Sequence, residues 1–137
     1  MAIYEEASLL LAAAKKDLRA LQGMLNPAVF ADEIFGFHAQ QAVEKALKAW
    51  LAFLDVQYPR THDLTLLLTL LEAHGQEVSD FQDMTELNPY AVQYRYGAFD
   101  EMIGFIDRLA IINRVHKLTA LVDSHISPKS WSSLVED

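Results

Sequence analysis

Four polar side chains that could share one ligand recur along the stretch FHAQQAVEKALKAW, residues 37–50. Projected at about 100° per residue, they fall within about a quarter-turn of one another. We call them the polar row: His38, Gln41, Lys45 and Lys48. An imidazole, an amide and two ammonium groups could jointly hold an anion such as a nucleotide phosphate. The alternative is a solvated face, because Glu44 precedes Lys48 by one helical turn and favours an intrahelical ion pair.

A second candidate contact is His62, which follows Pro59 and falls in the first turn of a predicted helix. Backbone N–H groups at a helix start attract anions, so His62 could reach the same ligand. The alternative is a histidine that only makes local hydrogen bonds. The other histidines of the predicted helices have no Asp, Glu or His partner at metal-ligand spacing. They are predicted to be structural or surface residues, and no metal site is predicted: His74, His116 and His125.

A third candidate is the aromatic cluster in NPYAVQYRYGAFD, residues 88–100. Tyr94 or Tyr96 could stack on a base while the guanidinium of Arg95 holds a phosphate. The alternative is that Tyr90 and Tyr94, one turn apart, pack onto the protein while Arg95 pairs with a carboxylate such as Asp100.

These residues must be positioned by helices, because the apolar residues recur at three- and four-residue steps. The first helix carries such a face at Leu10, Ala14, Leu18, Leu21 and Leu25. Asn26-Pro27 predicts the cap and first turn of a second, long helix that runs to about Leu54. Thr61 is the predicted cap of a third helix, with Asp63 in its first turn and its end at Gly75.

The second half of the chain predicts a short helix around Val78 to Met84, a start signal at Asn88-Pro89 and a break at Gly97. A last long helix is predicted from about Ala98 to Val122. Its expected core face is Phe99, Met102, Ile106, Leu109, Ile112, Val115 and Leu118.

The predicted fold is all-α, since no Asn-Gly or Asp-Gly hairpin turn occurs between alternating runs. Short connectors favour an antiparallel up-and-down bundle of four long or medium helices with one or two short ones. We expect one domain over residues 1–126. The tail from residue 127 to 137 lacks periodicity, and we expect it to be flexible, although Trp131 could dock on a partner.

Composition narrows the function classes. With 137 residues, 52% hydrophobic and 22% charged, the chain is long and apolar enough to bury a core. It has no cysteine, which excludes disulfides, thiolate metal sites and cysteine catalysis, and fits a reducing cytoplasm. A net charge of −8 repels nucleic acid and anionic membranes on average, so an anion site must lie outside the acidic segment 72–86.

Three stretches together resemble the HEPN domain family, the higher eukaryotes and prokaryotes nucleotide-binding domain. FHAQQAVEKALKAWL is followed by RTHDL and then by YRYG, in the order and at about the spacing of that family. The resemblance covers roughly Ile3 to Val122. It implies a helical bundle, frequently a homodimer, that in prokaryotes often stands beside a minimal nucleotidyltransferase in a two-gene, toxin–antitoxin-like module.

Some family members are RNA-cleaving toxins that carry an arginine and, after four to six further residues, a histidine. This chain departs from that pattern at every arginine, and the nearest approach, Arg108 to His116, is one residue too long. Metal-independent RNA cleavage needs a base for the 2′-hydroxyl proton and a cation for the developing charge. Asp100, which follows Arg95 at the shortest of these spacings, supplies neither at neutral pH.

Three functions remain. The first is a non-catalytic module that binds a nucleotide (ATP or GTP) or RNA, needs no cofactor and partners a nucleotidyltransferase. Its candidate contacts are His38, Gln41, Lys45, Lys48, His62, Tyr94, Arg95 and Tyr96. The second is a divergent ribonuclease toxin, and the third is a structural, dimeric interaction module whose polar row is only surface.

Overall fold

The computed structural model describes residues 2–91 and 106–127 of the chain. Within these ranges the protein is all-helical and contains no β-strand, which confirms the predicted helical bundle. The elements are α1 (Ala2–Gln22), α2 (Asp32–Phe53), α3 (Leu64–Ala73), a 3-10 helix (Ser79–Ala91) and α4 (Arg108–Ile126).

The helix directions follow from the contacts between their ends. Asp17, late in α1, contacts His38, early in α2, so these two helices run antiparallel. α4 also runs antiparallel to α1, because Arg108 at its start reaches Met24 and Asp123 near its end pairs with Lys15. The α3 and 3-10 helices pack against α2 and against each other. α2 therefore lies at the centre of the bundle.

The core consists of the apolar faces that the helical spacing predicts. On α1 the buried residues are Ala7, Leu11, Ala14, Leu18 and Leu21, whereas Leu10 is half-buried. Leu25 was expected in this face but is 46% exposed, because α1 ends at Gln22 and the chain turns away. On α4, Ile112, Val115 and Leu118 are buried as predicted.

The start of α2 differs from the prediction. Asn26-Pro27 does not cap this helix: the Asn26 side chain accepts from the Ala28 N–H, and its carbonyl accepts from Val29 and Phe30. These bonds close a turn, and α2 begins only at Asp32, after the extended residue Ala31. Asn26 and Pro27 therefore belong to a separate turn and not to the first turn of α2.

The start of α3 also differs. Its N-cap is Asp63, whose carboxylate accepts from the Thr65 N–H, and not Thr61, whose hydroxyl accepts from the Asp63 N–H. The predicted end at Gly75 is confirmed, since Gly75 has the positive φ of 83° that ends helices of this type.

The segment after α3 does not start a new helix at Asn88-Pro89. A single 3-10 helix runs from Ser79 to Ala91 and contains Pro89. Asn88 instead acts on α3, because its side-chain oxygen accepts from the Leu64 N–H. This tertiary contact uses the side chain that was expected to cap the following helix.

α4 begins later than predicted. Ile106 and Asp107 are not helical, and the Asp107 carboxylate caps the helix by accepting from the Ala110 N–H. The expected core residue Leu109 is 63% exposed, while its neighbour Arg108 is buried.

The predicted break at Gly97, the predicted helical residues 98–105 and Trp131 lie outside the described residues. No helix among the described residues has both the length and the apolar character needed to cross a membrane.

Candidate functional site

The polar row lies on α2 where that helix faces α1 and the connector to α3. Two of its residues bind one carboxylate of α1. His38 Nδ1 lies 3.1 Å from Asp17 Oδ1, and Lys45 Nζ lies 2.8 Å from Asp17 Oδ2. The Asp17 side chain is only 13% exposed, so it is held beneath the imidazole of His38 and the ammonium group of Lys45. We call these three residues the Asp17 cluster.

The other two residues of the row belong to a network around Glu44. Its Oε1 accepts from Gln40 Nε2 at 3.0 Å and from His62 Nδ1 at 2.9 Å, and its Oε2 accepts from Lys48 Nζ at 2.9 Å. Gln41 joins the network through its Nε2, which donates to Gln40 Oε1 at 2.8 Å. We call these five residues the Glu44 cluster.

Glu44 is ionised within this cluster despite its burial. Burial alone would raise the pKa of its carboxyl group, but hydrogen bonds from Lys48, Gln40 and His62 together outweigh that effect. Its pKa therefore lies below the ordinary glutamate value. The predicted ion pair between Glu44 and Lys48 is confirmed, and it lies in a buried network rather than on a solvated face.

The two clusters repeat one arrangement. In each, one carboxylate oxygen accepts from a histidine Nδ1 and the other oxygen accepts from a lysine. A carboxylate can only accept, so each Nδ1 carries the proton and each Nε2 lies on the opposite side of its ring. His62 is 62% exposed, which leaves its Nε2 accessible to a ligand.

A shallow groove adjoins the Asp17 cluster. It has a volume of about 470 Å³ and is lined by Glu5, Glu6, Leu9, Leu10, Ala13, Lys45 and Tyr58. Tyr58 connects the groove to the Glu44 cluster, because its ring lies 5.7 Å from Lys48 Nζ. Burial and the charges of Glu6 and Glu44 raise the pKa of Tyr58, so its hydroxyl stays protonated at neutral pH.

The structure thus brings five of the predicted contacts into two adjoining clusters: His38 and Lys45 at Asp17, and Gln41, Lys48 and His62 at Glu44. The other three, Tyr94, Arg95 and Tyr96, lie outside the described residues. Tyr90 is buried against α2, as expected for packing onto the protein.

Four residues of the site were not predicted as contacts: Asp17, Gln40, Glu44 and Tyr58. Gln40 and Glu44 carry a signal in the sequence, because they lie one turn before the buried Val43 and Leu47 on α2. Polar residues on a buried face are hydrogen-bonded. Asp17 carries the same signal, because it lies between the buried Ala14 and Leu21 on α1, but its partners 21 and 28 residues away could not be read from local spacing.

Arg108 is the arginine whose spacing to a histidine comes nearest to that of the RNA-cleaving family members, and its guanidinium binds groups of the fold. Its guanidinium donates to the carbonyls of Met24 and Phe30 and to the Asp32 carboxylate, at 2.6 to 2.7 Å. It also stacks 4.9 Å from the centre of the Phe35 ring. The guanidinium of Arg108 therefore has a structural role.

The remaining histidines either contact residues of the fold or lie at the surface. His74 contacts the Leu70 carbonyl, and His125 stacks on the Trp50 ring with centroids 5.6 Å apart. His116 is exposed. Across residues 2–91 and 106–127, no group of three His, Asp or Glu side chains is placed to hold a metal ion.

Comparison with known proteins gives one match. A family model described as the HEPN domain matches residues 7–125, which is most of the chain. No curated protein and no solved structure matches.

Proposed function

Since the chain belongs to the HEPN domain family, we propose that it is a non-catalytic module that binds a nucleotide or RNA through the polar row. The ligand's phosphate would contact His38, Lys45, Lys48 and His62, and Gln41 would contribute its amide. Tyr94, Arg95 and Tyr96 remain proposed contacts of the same ligand.

The observation that carries this proposal is the convergence of two helices and a connector on one polar surface. His62, contributed by the connector, shares the carboxylate of Glu44 with Lys48 of α2. Side chains held by such hydrogen bonds are preorganised, which lowers the entropic cost of binding. The apolar wall of the adjoining groove, with Leu9, Leu10 and Ala13, offers a surface for a base next to Lys45.

The non-catalytic part of the proposal rests on the arginines. No arginine of the chain stands at the spacing to a histidine that the RNA-cleaving members carry. Arg108, the nearest approach, has its donors directed at two carbonyls and a carboxylate of the fold. Three of its five N–H donors bind these partners, and its side chain is only 7% exposed, which keeps it away from a scissile phosphate at the surface.

The family resemblance also supports a proposal about the partners of the protein. We propose that it works in the cytoplasm as a homodimer beside a minimal nucleotidyltransferase, in a two-gene, toxin–antitoxin-like arrangement.

A thermal-shift titration of the purified protein with ATP, GTP and short RNAs tests the binding proposal. A ligand at 100 times its dissociation constant adds about 2.7 kcal/mol to the free energy of unfolding, which raises the Tm by several degrees. The double variant Lys45→Gln/Lys48→Gln should lose this shift.

The matched control is Lys15→Gln/Lys117→Gln, which removes the same charge from lysines paired with Asp123 and Asp80 away from the row. This control should keep the shift. No shift with any ligand at either about pH 5.5 or about pH 8, or an equal loss in both double variants, would refute binding at the polar row.

A structural interaction module is the second candidate, and one observation favours it. Both lysines of the row are already neutralised by carboxylates that are 13% and 7% exposed. If the clusters serve only to join α2 to α1 and to the connector, Lys45→Gln/Lys48→Gln lowers the Tm while no nucleotide or RNA alters it.

A further inference from the structure

The two clusters fix the protonation state of their histidines in a way that bears on anion binding. Both Nδ1 atoms donate to carboxylates, so a neutral His38 or His62 presents the lone pair of its Nε2 outward. A phosphate oxygen also carries lone pairs and is repelled by such an atom. Only a protonated histidine offers an Nε2–H donor to a phosphate while its Nδ1–H stays on the carboxylate.

The net charge of the two clusters also favours anion binding only when the histidines are protonated. Two carboxylates, Asp17 and Glu44, balance two ammonium groups, Lys45 and Lys48. With both histidines neutral the clusters have no net charge, and the buried carboxylates oppose an approaching anion. Protonation of both histidines adds two positive charges on the side that a ligand would meet.

From these observations we propose that Asp17 and Glu44 determine the specificity of the polar row: it accepts phosphate esters when His38 and His62 are protonated and rejects them when they are neutral. This inference rests on the proposed binding function and adds its regulation by pH. Histidine is the side chain whose charge changes between about pH 5 and 8.

The other charged and titratable groups around the two histidines do not change this sign. They are Tyr58, Arg60 and Asp63 of the connector, Glu6 of α1, whose charge acts on Tyr58, and the lysines already paired within the clusters. Over this pH range Glu44 is ionised, because its pKa is lowered from the ordinary value, and Tyr58 is protonated, because its pKa is raised from the ordinary value. The histidines are thus the groups that change charge.

A binding titration with a short oligouridine that bears a 5′-hydroxyl tests the proposal. Its phosphodiesters keep one charge each over the whole range, so any pH dependence belongs to the protein. At fixed ionic strength, we expect affinity to be on the order of tenfold higher at about pH 5.5 than at about pH 8, the size of one charge-assisted hydrogen bond.

Asp17→Asn separates this proposal from simple attraction by lysines. The variant removes one negative charge, and the amide can donate to Nδ1, which allows the tautomer of His38 with an Nε2–H donor. Affinity at about pH 8 should therefore rise and the pH dependence should become shallower. His38→Gln should lose part of the gain at low pH.

Asp123→Asn is the control, because it removes an equal charge from an exposed pair with Lys15. It should keep the full pH dependence. If Asp17→Asn and Asp123→Asn behave alike, or if the wild type binds equally at both pH values, the proposal is overturned. Absence of binding at every pH would instead overturn the proposed function itself.

Nitrogen-15 spectra of the imidazoles provide a test on the wild-type protein that needs no variant. At about pH 8, His38 and His62 should both show the tautomer with the proton on Nδ1. A proton on Nε2 in either ring would overturn the proposal for that cluster.

Discussion

At the scale of single residues, Glu44 explains why a polar network lies within an apolar helix face. A buried carboxylate without partners would be too costly to keep ionised. Three donors, from Gln40, His62 and Lys48, satisfy its two oxygens. No buried side-chain polar atom among the described residues lacks a partner, so the network is complete. Glu44 is both a candidate component of the site and a stabilising residue.

The first prediction concerns stability against pH. The pKa of Glu44 is lowered by folding, so the unfolded chain binds its proton more tightly. Its contribution is therefore present above the ordinary value of 4.5 and is lost as the pH falls through the lower folded value. Glu44→Gln should lower the free energy of unfolding by about 1–3 kcal/mol near neutral pH, and by less in acid.

Urea denaturation at several pH values measures this gap. Glu72→Gln is the control, because Glu72 is exposed and the same change there should have little effect. A Glu44→Gln gap that is the same in acid as at neutral pH would contradict the assignment of Glu44 as the ionised centre of the cluster.

At the scale of elements, α2 positions the site because it is packed on several sides. Its start is fixed by a close approach of the 3-10 helix: Gly36 lies against the buried ring of Tyr90. A Cβ at Gly36 would overlap that ring. Glycine is required here for space, and the fixed position of α2 keeps the polar row facing α1 and the connector.

The second prediction follows from that contact. Gly36→Ala should destabilise the protein by roughly 1–3 kcal/mol, because overpacking outweighs the higher helix propensity of alanine. Thermal denaturation measures the change.

Gly23→Ala is the matched control, since a Cβ there would meet only the Ala20 carbonyl oxygen at an ordinary 3.5 Å. A loss of stability no greater in Gly36→Ala than in Gly23→Ala would show that Tyr90 does not limit the space at Gly36.

At the scale of the whole molecule, Arg108 joins the start of α4 to the segment that connects α1 with α2. From the first turn of α4 it donates to Met24 and Phe30, which lie in the turn between α1 and α2, and to Asp32 at the start of α2. Three helices are thus fixed at one end of the bundle by one buried guanidinium. This explains why the turn at Asn26 stays separate from α2, since Arg108 binds the carbonyls of Met24 and Phe30 on either side of that turn.

The third prediction is that Arg108→Met lowers the free energy of unfolding by about 1–3 kcal/mol, because it leaves two carbonyls without their donor. Chemical denaturation measures the loss. Arg114→Met, which removes an exposed pair with Asp83, should change stability by less than about 1 kcal/mol. Equal losses in the two variants would contradict the role of Arg108 as the joint of the bundle.

The sequence by itself determined the features that depend on residues within about one helical turn of each other. It predicted the all-α class, most of the core faces, the end of α3 at Gly75 and the pair of Glu44 with Lys48. It also predicted that the polar row shares one face of a helix, because helical geometry alone settles that question.

Only the tertiary structure decided that the polar row contacts Asp17 of α1 and where the helices begin. Asp17 meets Lys45 across 28 residues, and Arg108 meets Met24 across 84. No local pattern encodes such pairs, because they depend on how helices pack. The same packing redirected Asn88 from its own segment to the N–H of Leu64, and it paired Lys45 of the polar row with the carboxylate of Asp17.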